Sequence, residues 1–600
     1  MSTSSTRVDP VLASVISGAL DSIATEMGHK LARMSYSPII RESEDFGCVI
    51  CDDQARQLCE SRESTPLQSG PIPGYIRGIN RRFAEIGEEW KPGDVVIHNH
   101  SYYGASHGPD VAFAIPVFHK GELVGFSTTT AHHLDLGALT PGSCGIVDAC
   151  DAYAEGLQFN AIKIEEEGRR NEWVWRILRD NVRAAPLVVG DMEAQVAAAR
   201  IGAERFLELV EHYGIDTVRA ASADLMDYSE RMLRAEIEAL PDGTYSAEGF
   251  IDGFVDHPDP RYRDLRIAAA VTVDGSNIHV DLTGTADQID LPLNMPFEGT
   301  VDIAIYLTLR SILLDSVTHE YVPANSGLFR PITIYAPEGC LANPRYPAPV
   351  IARFCPGNIV ADTVMRALAP VVPDKVSAGV GNLKVVAYSG LMQQGGHWVY
   401  MDIQEGSYGG RLGKDGLDAV DTLYANTRNN PIEDIESHYP LQVTRYEIRD
   451  GGLCGPGRWR GGVGSVREIK TLTDVHMSLE GDGHRFPPWG FLGGEKGFPC
   501  GVDYVDAQTG EVTQLPSKIQ SRFSHAGDIY RTLGAHGGGY GPAWERESNK
   551  VLDDVRDEII SIQQAQDDYG VVINTDSRAV DIEATKIRRT HMAAQTLPHA

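Results

Sequence analysis

The stretch "IHNHSYYGASHGPDVAFAIPVFHKGELVGFSTTTAHHLDLG", residues 97–137, sets the reading of the fold. Two runs rich in aromatic, β-branched and small residues, "VAFAIPVF" and "ELVGFSTTT", are joined by the turn sequence "HKG". This pattern predicts an antiparallel pair of strands. Working outward, "FGCVICDD", "GDVVIHNH" and "AIKIEEEG" read as further strands. Helices flank them. "PVLASVISGALDSIATEMGHKLARMSY" repeats apolar residues at three- and four-residue steps after a proline start, and "GDMEAQVAAARIGAERFLELVEHYG" is amphipathic and ends at Gly214. With "ADLMDYSERMLRAEIEAL" as a further helix, residues 1–240 are expected to form a helix-flanked α/β domain.

The remaining chain changes character twice. Residues 241–400 alternate strands with helices, including a hairpin around Asp274-Gly275 and a helix in "TVDIAIYLTLRSILLDS", and predict a central α/β domain. Residues 401–545 are glycine-rich and strand-like and predict a β-rich domain, and 546–600 a helical extension with a loosely held tail over the last 25 residues. The expected fold class is therefore mixed α+β and multidomain. Six hundred residues exceed what one core organises, and the 61 glycines and 33 prolines are scattered as turns between short elements.

Composition excludes several functions. A formal charge of −30 repels phosphate backbones and no basic run offsets it, so no nucleic-acid partner is expected. No basic-then-apolar leader and no apolar run of about 18 residues occurs, so no membrane span is expected and the protein reads as cytoplasmic. Nine cysteines without a secretion signal point to reduced thiols. Cys48 and Cys51 form a CxxC, but on a strand positions three apart face opposite ways, so both are expected to be buried small hydrophobes.

Five of the 19 histidines fall within residues 97–110 and 128–137. The string His98-Asn99-His100 has too little context for a nuclease. His107 and Asp110, three apart across a Gly-Pro turn, can project to one point, and the strand ending at "AHHLD" can add His132 or His133. Imidazole with carboxylate is the ligand mix of zinc, manganese or iron(II). Satisfaction of backbone groups in turns is the competing reading. The glycine motifs "HGGGYG" (536–541) and "GGVGS" (461–465) lack the Lys-Ser/Thr of a phosphate loop and read as tight turns. The polar segments 421–440 and 481–490 read as long turns or as a binding surface.

Taken together, "SPIIRESEDFGCVICD", "PGDVVIHNHSYYGASHGPDVAFAIPVF", "AHHLDLGALTPGS", "YAEGLQF", "VDLTGTADQIDLPLN", "NTRNNPIEDIESHYPLQVTRYEIR", "GPGRWRGGVGSVRE", "RFPPWGFLGGEKG" and "HGGGYGP" resemble the hydantoinase B/oxoprolinase family, in order along nearly the whole chain. The resemblance implies a subunit of an ATP-dependent amidohydrolase acting on cyclic amides, or alternatively of an acetone or acetophenone carboxylase acting on a ketone. It implies a hetero-oligomer in which a hydantoinase A-type subunit holds ATP and Mg and phosphorylates the substrate, while this subunit completes the reaction at a divalent metal, zinc or manganese. Asp45, His107, Asp110 and His132 match the family's metal ligands, and His133 and Asp135 beside them are the expected proton carriers. Two departures, Asn99-His100 and "RFCPGN" (353–358), are expected to line the pocket.

Overall fold

The computed structural model describes residues 8–142, 147–392, 395–449 and 454–596. Helix α1 (Pro10–Met34) begins where the Asp9 carboxylate caps the Val11 N–H and proline occupies the first turn. The chain then builds β1 (Phe46–Asp52), β2 (Gln57–Glu60), helix α2 (Ile72–Ile86), β3 (Val95–His98), β4 (Asp110–His119), β5 (Glu122–His132), β6 (Ile162–Glu166) and β7 (Arg169–Arg170). These strands form one antiparallel sheet in the order β2-β1-β5-β4-β3-β6-β7, with the expected β4–β5 hairpin near its middle. Helices α3 (Ala185–Tyr213) and α4 (Ile215–Glu238) follow.

Both faces of this sheet are covered, which is why its central strands read as nearly continuous apolar runs. Ile16, Leu20 and Met27 of α1 and Met192, Ala198 and Ala199 of α3 pack with Cys48, Ile50, Val111 and Phe113 on one face. On the other, Ile72 and Ile76 of α2 meet Val49, Cys51 and Phe126. Cys48 and Cys51 thus lie on opposite faces, both buried.

A second sheet, β8 (Gly243–Gly253), β9 (Arg263–Asp274), β10 (Asn277–Asp281) and β11 (Ile332–Tyr335), packs with α5 (Asp302–Leu313) and α6 (Phe354–Leu368) around a separate core. The β9–β10 turn falls at Asp274-Gly275, as expected. The rest of the chain is strand-rich. β12 (Lys384–Leu391), β13 (His397–Gln404), β14 (Leu441–Ile448), β15 (Ser465–Thr471), β16 (Val475–Glu480), β17 (Gly501–Val505), β18 (Val512–Gln514), β19 (Lys518–Ser524) and β20 (Ile529–Leu533) make two sheets, β13-β12-β16-β19 and β14-β15-β20-β17-β18. The β12–β13 hairpin straddles residue 400 and joins later strands, while Leu383, Val385 and Met401 also pack into the first core. The architecture is mixed α/β and multidomain.

The glycine motifs mark close backbone crossings. A Cβ on Gly538 would lie 1.9 Å from the Trp489 carbonyl oxygen, and one on Gly461 1.8 Å from that of Gly537. The tail differs from expectation. Residues 582–596 form helix α7 (Ile582–Thr596), held because Arg588 donates to the Gln566 carbonyl and Arg589 to that of Arg546. Among the described residues no helix is long and apolar enough to cross a membrane.

Candidate metal centre

Strand register assembles the site. In the β4–β5 pair Asp110 stands opposite His132, and in the β1–β5 pair Phe46 stands opposite Ala131. Asp45, one residue before β1, therefore falls beside His132, whose N–H donates to the Asp45 carbonyl at 3.1 Å. Asp45, His132 and Asp110 form a row across three adjacent strands at one end of the sheet. His107 enters from the turn that leads into β4, where the Asp110 N–H donates to the His107 carbonyl at 3.1 Å.

His107, Asp110 and His132 offer ligand atoms that all lie within 4.8 Å of one another, and all three side chains are buried. Asp45 is buried in the same row and lies outside that 4.8 Å group. Asp110 is tightly held. Its Oδ1 accepts from Gln68 Nε2 at 2.7 Å, its Oδ2 from Arg353 Nη2 at 2.6 Å and from Ser106 Oγ. Arg353, itself buried, also donates to the Tyr424 hydroxyl at 2.9 Å.

His107 carries the informative geometry. Its Nδ1 lies 2.7 Å from the Ile351 carbonyl oxygen, which can only accept, so Nδ1 holds the ring proton. Burial pushes the pKa of His107 down and that of His132 down to about 3, so both rings are neutral. The Nε2 lone pair of His107 then faces Asp110 Oδ1 at 3.2 Å with no hydrogen bond between them. Two acceptors at that separation repel unless a cation sits between them. Two neutral imidazoles and a carboxylate, with Asp45 adjacent, fit zinc or manganese by donor type.

Burial opposes charge on Asp110, yet, with both imidazoles neutral, the Arg353 guanidinium against Oδ2 favours the charged carboxylate and holds it below the ordinary range. Burial, reinforced by Asp110, pushes Asp45 up to about 8. The two expected proton carriers are engaged elsewhere. His133 Nε2 pairs with Gln195 Oε1 of α3 at 2.8 Å. Asp135 accepts from the Gly137 and Arg183 N–H groups and pairs with the Arg183 guanidinium at 3.0 Å. Of the two departures, Arg353 enters the site. Asn99 instead locks the neighbouring loop by donating to the carbonyls of Gly108 and Leu157, and His100 packs among Tyr102, Tyr103 and Tyr346.

Residues 9–543 match the hydantoinase B/oxoprolinase family. The chain belongs to the hydantoinase B/oxoprolinase family. The B-type subunit of a putative D-/L-hydantoinase from Pseudomonas sp. (strain NS671) is 61% identical over 96% of this chain and 98% of its own length. The beta subunit of caprolactamase from Pseudomonas jessenii is 29% identical, over 97% of this chain and 99% of its own. The crystal structure of ATP-dependent caprolactamase from that organism has a TM-score of 0.86 at 27% identity, covering 97% of this chain and 100% of that one. Nucleotide-free acetone carboxylase shares the fold, with a TM-score of 0.89 at 18% identity, covering 99% of this chain and 84% of that one. Against this family background, Gln68, Tyr424 and Asp421 are site neighbours that spacing did not reveal. Asp421 is half-buried, bears on Asp45 electrostatically and comes from the polar segment 421–440.

Proposed function

We propose that this chain is the metal-dependent subunit of an ATP-dependent amidohydrolase, completing hydrolysis of a cyclic amide of hydantoin, oxoproline or lactam type after a hydantoinase A-type partner has phosphorylated it. The observation that carries the reading is the unprotonated contact between His107 Nε2 and Asp110 Oδ1, closed by His132. His107, Asp110 and His132 would hold a divalent ion, zinc or manganese, with Asp45 as a fourth ligand. When bound, the ion supplies Lewis acidity to a carbonyl or phosphoryl oxygen.

The chain's own groups have distinct tasks in this reading. Arg353 and Ser106 occupy Oδ2 of Asp110, which turns Oδ1 toward the imidazoles. The Arg353 guanidinium also keeps positive charge beside the centre, where an oxyanion develops during acyl transfer. Gln68 steadies Oδ1 of Asp110 and has a buried Oε1 with no hydrogen-bond partner. His133 and Asp135 act as positioning residues, fixing the strand end that carries His132 against α3 and Arg183. Burial of the centre keeps out bulk water beyond the one molecule that hydrolysis consumes, which protects a phosphorylated intermediate from untimely breakdown.

Relatives named as B-type and beta subunits support a hetero-oligomer, and in this reading ATP and Mg belong to the partner. A ketone carboxylase subunit is the second reading, favoured by the fold shared with acetone carboxylase. The test is reconstitution of this chain with its A-type subunit, ATP and Mg, assaying cyclic-amide hydrolysis against bicarbonate-dependent carboxylation of a ketone. Amide hydrolysis is expected, with Asp110→Asn and His107→Ala losing both the ion by elemental analysis and turnover by at least about 100-fold. Full occupancy and normal turnover in Asp110→Asn would overturn the assignment.

A further inference from the structure

One segment from a distant part of the chain, residues 347–353, grips two members of the triad. The Ile351 carbonyl accepts from His107 Nδ1 at 2.7 Å, and Arg353 reaches Oδ2 of Asp110 at 2.6 Å. The segment lies outside regular secondary structure, so its backbone groups must be satisfied individually. Ala152 N–H donates to the Pro347 carbonyl, the Tyr102 hydroxyl to that of Ala348, and Asn294 Nδ2 to that of Pro349. Ala352 N–H donates to the Pro292 carbonyl. The two N–H groups in between, Val350 and Ile351, both donate to a single oxygen, Glu155 Oε1, at 2.5 and 2.7 Å.

We propose that Glu155 is a positioning residue for the metal centre, acting on His107 through the Ile351 backbone. By holding the Val350 and Ile351 N–H groups, the Glu155 carboxyl fixes the two peptide units that lead up to the Ile351 Cα, and the Ala352 N–H, held by the Pro292 carbonyl, fixes the unit that carries the Ile351 carbonyl. That carbonyl, anchored from both sides, holds the proton on His107 Nδ1 and aims Nε2 at Asp110 and His132. Ring orientation and tautomer of a metal-ligating histidine are set by the group bonded to its other nitrogen. Glu155 thus stands one step further out, at the end of the series Glu155, Ile351, His107. It is 5% exposed and touches no member of the triad, so solvent cannot replace it. This unites three sequence stretches that the metal ligands left unexplained: "YAEG" supplies Glu155, "LPLN" supplies Asn294, and "HNHSYYG" supplies Tyr102.

The inference rests on the metal reading of the triad, and the experiment separates the two. Zinc affinity is measured by chelator competition, and ligand geometry by the visible absorption of the Co²⁺-loaded protein, for wild type, Glu155→Gln, Glu155→Asp, Glu155→Ala and His107→Ala. Glu155→Ala is expected to weaken zinc about 10–100-fold and to change the Co²⁺ spectrum. Glu155→Asp, one methylene short of both N–H groups, is expected to move both readouts the same way by a smaller factor. Glu155→Gln retains a carbonyl acceptor and mimics a carboxyl that burial pushes up to about 8, so its affinity should stay within about threefold of wild type. A merely structural role would lower melting temperature and leave affinity and spectrum unchanged. Wild-type values in Glu155→Asp, or in a folded Glu155→Ala, would overturn the positioning role. Wild-type zinc binding in His107→Ala would instead overturn the metal reading itself.

Discussion

At the scale of single residues, the site was half legible. His107 and Asp110 stood out because a three-residue spacing across Gly-Pro is a local signal, and the resemblance supplied Asp45 and His132. Gln68 and Glu155 carry no local signal, and Arg353 stood out only as part of the departing segment 353–358. Their places at or behind the centre depend on register between segments, 243 positions apart for Arg353 and Asp110. Arg353 yields a prediction of its own. Removing one partner of a buried ion pair leaves an uncompensated charge and costs about 3–5 kcal/mol. Arg353→Met, measured by urea unfolding of chelator-treated protein, is expected to lose that much, because Asp110 keeps only hydrogen bonds from Ser106 and Gln68. Added zinc should restore more stability to Arg353→Met than to wild type, since the ion replaces the missing positive charge. A metal-free loss below about 1 kcal/mol would show that Arg353 does not hold Asp110.

At the scale of elements, the apolar pattern was a sound guide where an element is held by buried apolar contacts and failed where it is not. Helices α1 and α3 and strands β1, β4 and β5 follow their apolar patterns. Helix α7 escaped notice because Ile582 and Ile587 are exposed and its anchoring comes from arginines bonded to carbonyls, which no hydropathy pattern records. Helix α2 is a different case. It packs on the turn at residues 101–104, which leads into the segment carrying His107, through glycine. A Cβ at Gly78 would lie 1.6 Å from the Tyr103 carbonyl oxygen, and one at Gly104 2.2 Å from that of Gly74. Gly78→Ala must therefore push helix and turn apart, with an expected cost of about 1–3 kcal/mol in denaturant unfolding and a weaker zinc affinity. Gly18→Ala is the control. Gly18 lies within α1 with nothing within 4 Å of an added Cβ, so alanine should stabilise by about 0.5–1 kcal/mol and leave zinc binding unchanged. Equal effects from both substitutions would refute the close-packing argument.

At the scale of the whole molecule, the distribution of buried titratable groups sets how stability responds to pH. Burial pushes the carboxyl of Glu155 up to about 8 and those of Asp302, Glu480 and Asp482 up to about 7. In the unfolded chain such groups titrate near ~4. Each binds its proton more tightly when folded, so its contribution is fully present below pH ~4 and is lost as pH rises through the folded value. Half-buried His484 and buried His536, both pushed down to about 3, act in the opposite sense. Their contribution is present above pH ~6.5, the unfolded value, and is lost only as pH falls below it. Above pH ~6.5 the histidines are therefore constant, and the carboxyls alone set the slope among these groups. Stability should fall between pH ~6.5 and ~8.5, in the direction that self-repulsion of a chain with formal charge −30 also favours. Chelator-treated protein unfolded in urea at about pH 6.5, 7.5 and 8.5 checks this. Glu155→Gln, neutral throughout, should show a shallower decline than wild type. A stability that rose across this window, or a Glu155→Gln slope as steep as wild type, would mean that the buried carboxyls do not govern the response.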